Sequence, residues 1–290
     1  MQSTLEKKNP RKPLSEENKA GRYDKRNNIN DLTGKEWLLS TASFWKSEST
    51  LDDKDAYAHP APFLVKDVER LISMFTKKGM TVLDPFAGSG TTLLASNNLE
   101  RKAVGIDINT KFKTITEKRL KKKGYKEYRY LVGDSAKKID SISEVDYVVT
   151  SPPYHNILKN SGGGIRKHNG KSFRMGAREG VEFYSNKKND LGNFETYGDF
   201  LVALNEIMAK VFTKLKQGRY CTVIMSDFTV NKREKCVQAD VVPMMERLGF
   251  DFCGTTVLFQ NVKPLFPFGY PYAYKINHQH HNIMNFRKPV

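Results

Sequence analysis

Short apolar strands alternate with amphipathic helices through most of this 290-residue chain. Residues 64–75 place apolar side chains at helical spacing, and "MTVLD" at 80–84 then predicts a buried strand. Further strands are predicted at "KAVGIDI", "YRYLVGD", "VDYVVTS", "YCTVIMSD", "FCGTTVLFQ" and "HNIMNF". Such alternation is typical of a doubly wound α/β fold, a mostly parallel sheet with helices on both faces.

Two segments depart from this pattern. Residues 1–30 are polar and charged with few large apolar groups, which predicts a flexible arm ahead of one domain over 31–290. Residues 155–196 interrupt the domain with "NSGGGIRKHNGKSFRMGAREG", which is rich in glycine and cations and has little periodicity. A long loop inside a compact domain is usually functional, so we interpret this range as an insert.

Composition excludes several classes of protein. The chain has no apolar run near the ~18 residues of a membrane span, and its N-terminus lacks the apolar core of a secretory signal. Cys221, Cys236 and Cys253 are scattered, which favours a reducing cytoplasm over disulfides or a cysteine zinc site. His278, His280 and His281 lack a neighbouring carboxylate or thiol, so we predict packing or phosphate contact rather than a metal site.

The formal net charge of +16 indicates a polyanionic partner, usually a nucleic acid. The insert carries part of this charge among glycines, and it predicts a loop that becomes ordered on DNA and contacts a groove. The predicted DNA-binding residues are Arg166, Lys167, Lys171, Arg174 and Arg178.

A glycine turn joins the strand at 80–84 to the next helix in "VLDPFAGSGTTLLA". It lacks the lysine of a phosphate-binding P-loop, and Leu93 occupies the place of the third glycine of a dinucleotide fingerprint. Gly88 and Gly90 still allow a tight turn and close approach of a ligand to the backbone. Asp84 at the strand end would repel a pyrophosphate and would suit an ammonium group.

Two more acids end the next two strands. Asp107 follows the glycines by about twenty residues, where a carboxylate can accept both hydroxyls of a ribose. Asp134 ends the following strand and could receive the exocyclic amine of an adenine. Three strand-end acids beside a glycine turn describe a positively charged nucleoside, and S-adenosylmethionine (SAM) fits that description.

The strand at 145–150 stops at Ser151-Pro152-Pro153-Tyr154. Two prolines cannot donate hydrogen bonds to a sheet, and they hold the backbone carbonyls in fixed directions. A rigid turn with a hydroxyl on one side and a flat ring on the other is suited to holding a planar group.

Together, "DPFAGSGTT" and the later "TSPPY" resemble the amino-group DNA methyltransferases, which modify cytosine N4 or adenine N6. The resemblance implies a Rossmann-like sheet of seven strands, the last antiparallel, with a small basic target-recognition insert. It also implies that "HPAPF" at 59–63 closes over the methionine end of the cofactor. The cofactor-binding residues are then His59, Pro60, Phe63, Asp84, Phe86, Ala87, Gly88, Gly90, Thr91, Asp107, Ile108 and Asp134.

The same resemblance places the target base against Ser151, Pro152, Pro153 and Tyr154. An amine whose lone pair is delocalised into its ring is a poor nucleophile, so acceptors must pull on its hydrogens. The Ser151 hydroxyl and the Pro152 carbonyl are the candidates, with Tyr154 stacked on a base flipped out of the duplex. Serine before the prolines favours cytosine N4, whereas the adenine enzymes more often have Asp or Asn there.

Several alternatives stay open. Adenine N6 is the alternative target, and methylation of RNA or of a protein glutamine would use a similar turn. A catalytically silent DNA-binding subunit would be expected to have lost part of the glycine loop or of the P-P-Y turn, and this chain keeps both. We further expect double-stranded DNA as partner, a restriction-modification or solitary system with or without a cognate endonuclease, and a cytoplasmic monomer or weak dimer.

Overall fold

A computed structural model describes residues 21–59, 62–155, 165–168, 171–174, 185–260, 263 and 265–290. Its helices are α1 (Gly34–Ser40), α2 (Val65–Phe75), α3 (Thr91–Asn98), α4 (Thr110–Lys122), α5 (Ser135–Lys138), α6 (Tyr197–Lys214) and α7 (Val237–Arg247). Its strands are β1 (Phe44–Lys46), β2 (Thr81–Asp84), β3 (Lys102–Asp107), β4 (Tyr128–Val132), β5 (Val145–Thr150), β6 (Ile165–His168), β7 (Lys171–Arg174), β8 (Leu215–Met225), β9 (Phe228–Val230), β10 (Arg233–Lys235), β11 (Asp251–Phe259) and β12 (His280–Arg287).

The main sheet has eight strands in the order β1-β11-β12-β8-β5-β2-β3-β4. Strand β12 is antiparallel to both of its neighbours, and the other adjacent pairs are parallel. This confirms the doubly wound α/β fold and the antiparallel last strand. The predicted number of seven was one too low, because the three-residue strand β1 adds to the edge beside β11. A strand that short has no periodic signal in the sequence.

The core lies on both faces of the sheet. One cluster packs α6 and α7 onto the sheet and includes Phe200 and Met245, and the other packs α2 and α3 onto the opposite face and includes Leu71 and Leu93. All six residues of β5 are buried, and four of them are apolar, as expected for a strand covered on both faces. Because parallel strands end at the same edge, the polar ends of β2, β3 and β5 are brought together there.

The N-terminal part of the described chain packs against this domain. The side-chain amide of Asn30 donates to the Met74 carbonyl over 2.6 Å, and Arg219 donates to the Asn28 carbonyl over 3.1 Å. Residues 21–30 of the predicted arm therefore make specific contacts, while residues 1–20 lie outside the described residues. No helix in the described part of the chain has the length and apolar character needed to cross a bilayer.

The insert contains regular structure that its sequence did not indicate. Strands β6 and β7 pair antiparallel, with Lys167 opposite Ser172. At the two ends of the range, His155 and Leu191 are buried and Leu191 belongs to the hydrophobic core. The expectation of an irregular loop throughout 155–196 was therefore wrong.

Candidate active site

A pocket opens at the carboxyl ends of β2 and β5. Eight residues proposed from the sequence line it: His59, Phe63, Asp84, Phe86, Ala87, Gly88, Thr91 and Ser151. Seven further residues also line it: Pro62, Val68, Ser89, Thr92, Val149, Thr150 and Ile224. Of these, Pro62 lies in the segment 59–63 and Ser89 in the glycine turn that were predicted to bind the cofactor, and the other five were not anticipated. Pro60 lies outside the described residues. The glycine turn and the first residue of S-P-P-Y thus share one cavity, although 60 residues of sequence separate Thr91 from Ser151.

Asp84 forms a buried, acidic part of the pocket wall. Its carboxylate accepts hydrogen bonds from the Thr92 hydroxyl at 2.6 Å, the Thr150 hydroxyl at 2.7 Å and the Phe86 backbone N–H at 3.0 Å. Burial raises the pKa of Asp84, and these three donors oppose that shift. The donors fix the direction of the carboxylate, so a cationic group could be held against it.

The two glycines have separate roles in the turn. Gly90 has φ +77°, and a Cβ at this position would lie 2.3 Å from Cγ2 of Thr116 in α4. Gly88 has φ +46°, and a Cβ there would lie 3.0 Å from Nε2 of His59. Gly90 is not a pocket-lining residue, so its role is to let the turn pack closely on α4.

Side chains from α4 and β4 support this turn from behind. The Tyr130 hydroxyl donates to the Gly88 carbonyl over 2.9 Å, and Arg119 donates to the Ser89 carbonyl over 2.6 Å. Sequence reasoning did not identify either residue, since the contacts join positions about 30 or more residues apart and no local motif marks them.

Asp107 lies beside the glycine turn at the end of β3. One carboxylate oxygen accepts the Gly88 N–H at 2.9 Å, and the other accepts the Asn109 N–H at 2.8 Å. Burial raises the pKa of Asp107 to about 7, and the nearby charges of Asp190 and Asp84 act in the same direction. Ile108 follows it and is half-buried.

Asp134, the acid proposed for the adenine, has hydrogen-bond partners on both of its oxygens. One oxygen caps α5 by accepting the Ala136 N–H at 2.9 Å, and the other accepts the side-chain amide of Asn189 at 2.8 Å. Asp134 does not line the described pocket. Asn189 comes from the end of the insert, so this flank of the insert reaches the place assigned to an adenine.

Tyr154 is held firmly at the end of the S-P-P-Y turn, in which Pro152 is buried and Pro153 half-buried. One face of its ring stacks on Phe228, with centroids 5.5 Å apart and planes 18° from parallel. The backbone N–H of Ser226 donates to its hydroxyl over 2.9 Å, and the hydroxyl lies 2.8 Å from Nδ1 of His281. The ring is therefore held by stacking on one face and by hydrogen bonds at its hydroxyl.

Comparison with known proteins bears on the part of this site that contains the glycine turn. Residues 2–118 match a family model described as DNA methylase. The type II methyltransferase M.HindIII of Haemophilus influenzae is 36% identical over 96 residues, which are 32% of this chain and 30% of that protein. M2.LlaDCHI of Lactococcus lactis, another type II methyltransferase, is 41% identical over 70 residues, or 24% and 26% of the two chains. The resemblance to the amino-group DNA methyltransferases is confirmed.

The matched stretches span less than a third of either methyltransferase, so the similarity does not extend over the whole of those proteins. A solved structure supports the fold over a longer range. The crystal structure of TrmN from Thermus thermophilus aligns with a TM-score of 0.51 at 16% identity, covering 83% of this chain and 53% of TrmN. This likeness shows that the two proteins share an α/β fold.

Four of the predicted DNA-binding cations lie on the β6–β7 hairpin, which is separate in sequence from the elements that line the pocket. Arg166 and Lys167 are on β6, and Lys171 and Arg174 are on β7. In register, His168 pairs with Lys171 and Ile165 with Arg174. Arg178 lies outside the described residues. A two-stranded ribbon that carries cations has dimensions that a DNA major groove can accept.

Proposed function

We propose that this chain is a SAM-dependent DNA methyltransferase that modifies the exocyclic amine of a flipped base. One observation carries the proposal: the pocket that contains Asp84 and the glycine turn also contains Ser151, the first residue of S-P-P-Y. Donor and acceptor of a methyl group must meet in one cavity for direct transfer. A catalytically silent DNA-binding subunit would not need the glycine turn and S-P-P-Y in the same pocket.

The pocket residues fit the methionine end of SAM. Asp84 offers a buried, rigidly held acceptor for an ammonium group, and Phe63 and Val68 add apolar surface to the same wall. Asp107 lies next to the turn at the adjacent strand end, where ribose hydroxyls would donate to it. SAM supplies an already activated methyl group on its sulfonium, so the protein need only bind, orient and exclude water.

Ser151 and Pro152 would act on the amine of the base. The hydroxyl and the carbonyl can accept its two hydrogens, which increases the electron density on nitrogen as the new bond forms. The prolines restrict backbone motion, so these acceptors need little reorganisation. Tyr154 presents a ring whose one face is already packed on Phe228, and the base would stack on the opposite face.

DNA is the polyanion that we propose as substrate. The net charge of +16 and the cationic insert support a nucleic acid, and the matched relatives are named type II methyltransferases. A cytoplasmic restriction-modification system is therefore the first biological setting to test, with a solitary enzyme as the other. Within the amino-group class we favour cytosine N4, because the family's adenine enzymes more often have Asp or Asn where this chain has Ser151.

Incubation with [methyl-³H]SAM and either plasmid DNA or bulk RNA tests the proposal. We expect label in DNA, and its loss by 100-fold or more on Tyr154→Ala, about the scale of removing base stacking together with its positioning. SAM affinity, measured by calorimetry, should be unchanged in this variant. Label in RNA alone, or full activity of Tyr154→Ala on DNA, would contradict the proposal.

A further inference from the structure

The hydroxyl of Tyr154 belongs to a directed chain of hydrogen bonds. The Ser226 N–H donates to this oxygen, and Nδ1 of His281 lies 2.8 Å from it. On the other side of the imidazole, Nε2 lies 2.8 Å from the amide oxygen of Gln260, and the Lys263 ammonium is 3.5 Å from the same nitrogen, at the limit of hydrogen-bond distance. Because an amide oxygen only accepts, the short contact with Gln260 assigns the imidazole proton to Nε2, and Nδ1 then accepts the Tyr154 hydroxyl proton.

The surroundings of His281 keep it in this form. Burial and the positive charge of Lys263, with a smaller effect of His280, lower the pKa of His281 to about 3. The Lys263 ammonium is 3.4 Å from the His278 carbonyl, which takes one of its protons. Because the imidazole stays neutral and keeps one tautomer, its Nδ1 can accept the Tyr154 hydroxyl proton throughout the physiological pH range.

His281 also contacts the wall of the cofactor pocket. Its ring meets the ring of Phe63 edge to face, with centroids 5.5 Å apart. Phe63 lines the pocket that Asp84 and Ser151 share. One side chain from β12 thus contacts the S-P-P-Y tyrosine on one side and the segment 59–63 on the other.

We propose that His281 is a positioning residue for Tyr154. Its hydrogen bond holds the Tyr154 ring at the orientation in which the target base stacks, and its own ring packs against Phe63 in the wall of the cofactor pocket. This inference rests on the proposed function, because Tyr154 stacks on a target base only if the chain methylates one. A ring held in place before the base arrives loses no freedom on binding and aligns the amine with the methyl group. Loss of His281 should therefore lower kcat on DNA more than it changes SAM affinity.

Three variants separate this role from simple packing. His281→Phe keeps a ring against Phe63 but removes the acceptor, and we expect kcat to fall about tenfold, the scale of leaving one buried hydroxyl unsatisfied. His281→Asn places an amide oxygen near the Nδ1 position and should stay within about threefold of the wild type. His280→Asn, the adjacent residue whose side chain takes no part in this chain of hydrogen bonds, is the matched control and should not change kcat. The dissociation constant of SAM should be the same in His281→Phe and His280→Asn, which both keep a ring at position 281, and should change less than kcat does in His281→Asn.

A spectroscopic measurement tests the hydrogen bond itself. Protein labelled with [¹⁵N]histidine contains 6 histidines, and the signal that disappears in His281→Asn belongs to His281. We expect the pattern of a neutral, Nε2-protonated ring that does not change between pH 5 and 8, and a shift of its Nδ1 signal in Tyr154→Phe. The proposal is overturned if the His281 ring titrates between pH 5 and 8, or if its Nδ1 signal has the same chemical shift in Tyr154→Phe as in the wild type.

Kinetics can overturn it independently. Equal kcat for His281→Phe and wild type, or an equal loss in His281→Asn and His281→Phe, would show that the acceptor does not position Tyr154. Absence of methyl transfer to DNA by the wild type would instead reject the proposed function, and the spectra would then decide on their own whether His281 orients Tyr154.

Discussion

Binding of a ribose to Asp107 should depend on pH in a direction set by the burial of this carboxyl group. Two backbone N–H groups donate to the carboxylate, but burial has the larger effect and raises the pKa to about 7. Ribose hydroxyls donate to the ionised form, so ligand binding favours the carboxylate. Affinity should therefore fall as the pH is lowered through 7, and should level off above 8.

The size of the effect follows from the fraction of ionised Asp107. With a pKa near 7, this carboxyl is ionised in about 9% of molecules at pH 6 and in about 91% at pH 8. If only the ionised form binds, the dissociation constant rises about tenfold over that interval, or about 1.4 kcal/mol. Asp84 is buried as well and its pKa is also raised, so an Asp107 variant must serve as the reference.

The assay is calorimetric titration at pH 6, 7 and 8 with 5′-methylthioadenosine, which keeps the ribose and adenine of SAM. This ligand lacks the amino acid group, whose own amine titrates near pH 8 and would obscure the result. Asp107→Ala should bind about 1.5–3 kcal/mol more weakly and lose the pH dependence. Wild-type affinity that does not change with pH, or a folded Asp107→Ala with unchanged affinity, would refute the assignment of Asp107 to the ribose.

Two further predictions concern the turn and the insert. Gly90→Ala should lower the free energy of unfolding, measured in urea, by about 1–3 kcal/mol more than Gly79→Ala. The two glycines have similar positive φ, but of the two only Gly90 has atoms within 4 Å of the position that a Cβ would occupy. Equal losses would show that the contact with α4 does not constrain the turn. Replacing the cations Arg166, Lys167 and Lys171 with Gln should weaken DNA binding and reduce its log–log salt slope by about 2–3, with SAM affinity unchanged. A slope that stays the same would assign DNA contact to another surface, and the 1–30 arm would be tested next.

Local sequence patterns predicted those features that depend on residues close together in the chain, such as strand ends and the glycine turn. The strand-end acids Asp84 and Asp107 lie at one edge because parallel strands of a doubly wound sheet end together, and the glycine turn follows from its own spacing. Eight residues named from the sequence line the pocket, and among them His59 and Phe63 were named only through the family resemblance. The apolar run of β5 likewise indicated a strand that is buried on both faces.

What the sequence did not reveal depends on contacts between distant segments. The hydrogen bond from Tyr154 to His281 joins positions 127 residues apart, and the one from Asn189 to Asp134 spans 55. No spacing rule relates such pairs, because their proximity is produced by the strand order and not by either segment alone. The edge strand β1 and the hairpin of β6 and β7 were missed for a related reason, since strands of three or four residues gain their order from pairing.

The identity of the methylated nucleoside tests the central claim most directly. DNA treated in vitro with the protein and SAM should be digested to nucleosides and analysed by mass spectrometry against authentic standards. We predict N4-methylcytosine, the product expected if Ser151 and Pro152 present a cytosine amine to the methyl group. N6-methyladenine as the only product would overturn the choice of base and leave the amino-group chemistry standing. 5-Methylcytosine, or no modified nucleoside in the presence of bound SAM, would contradict the account.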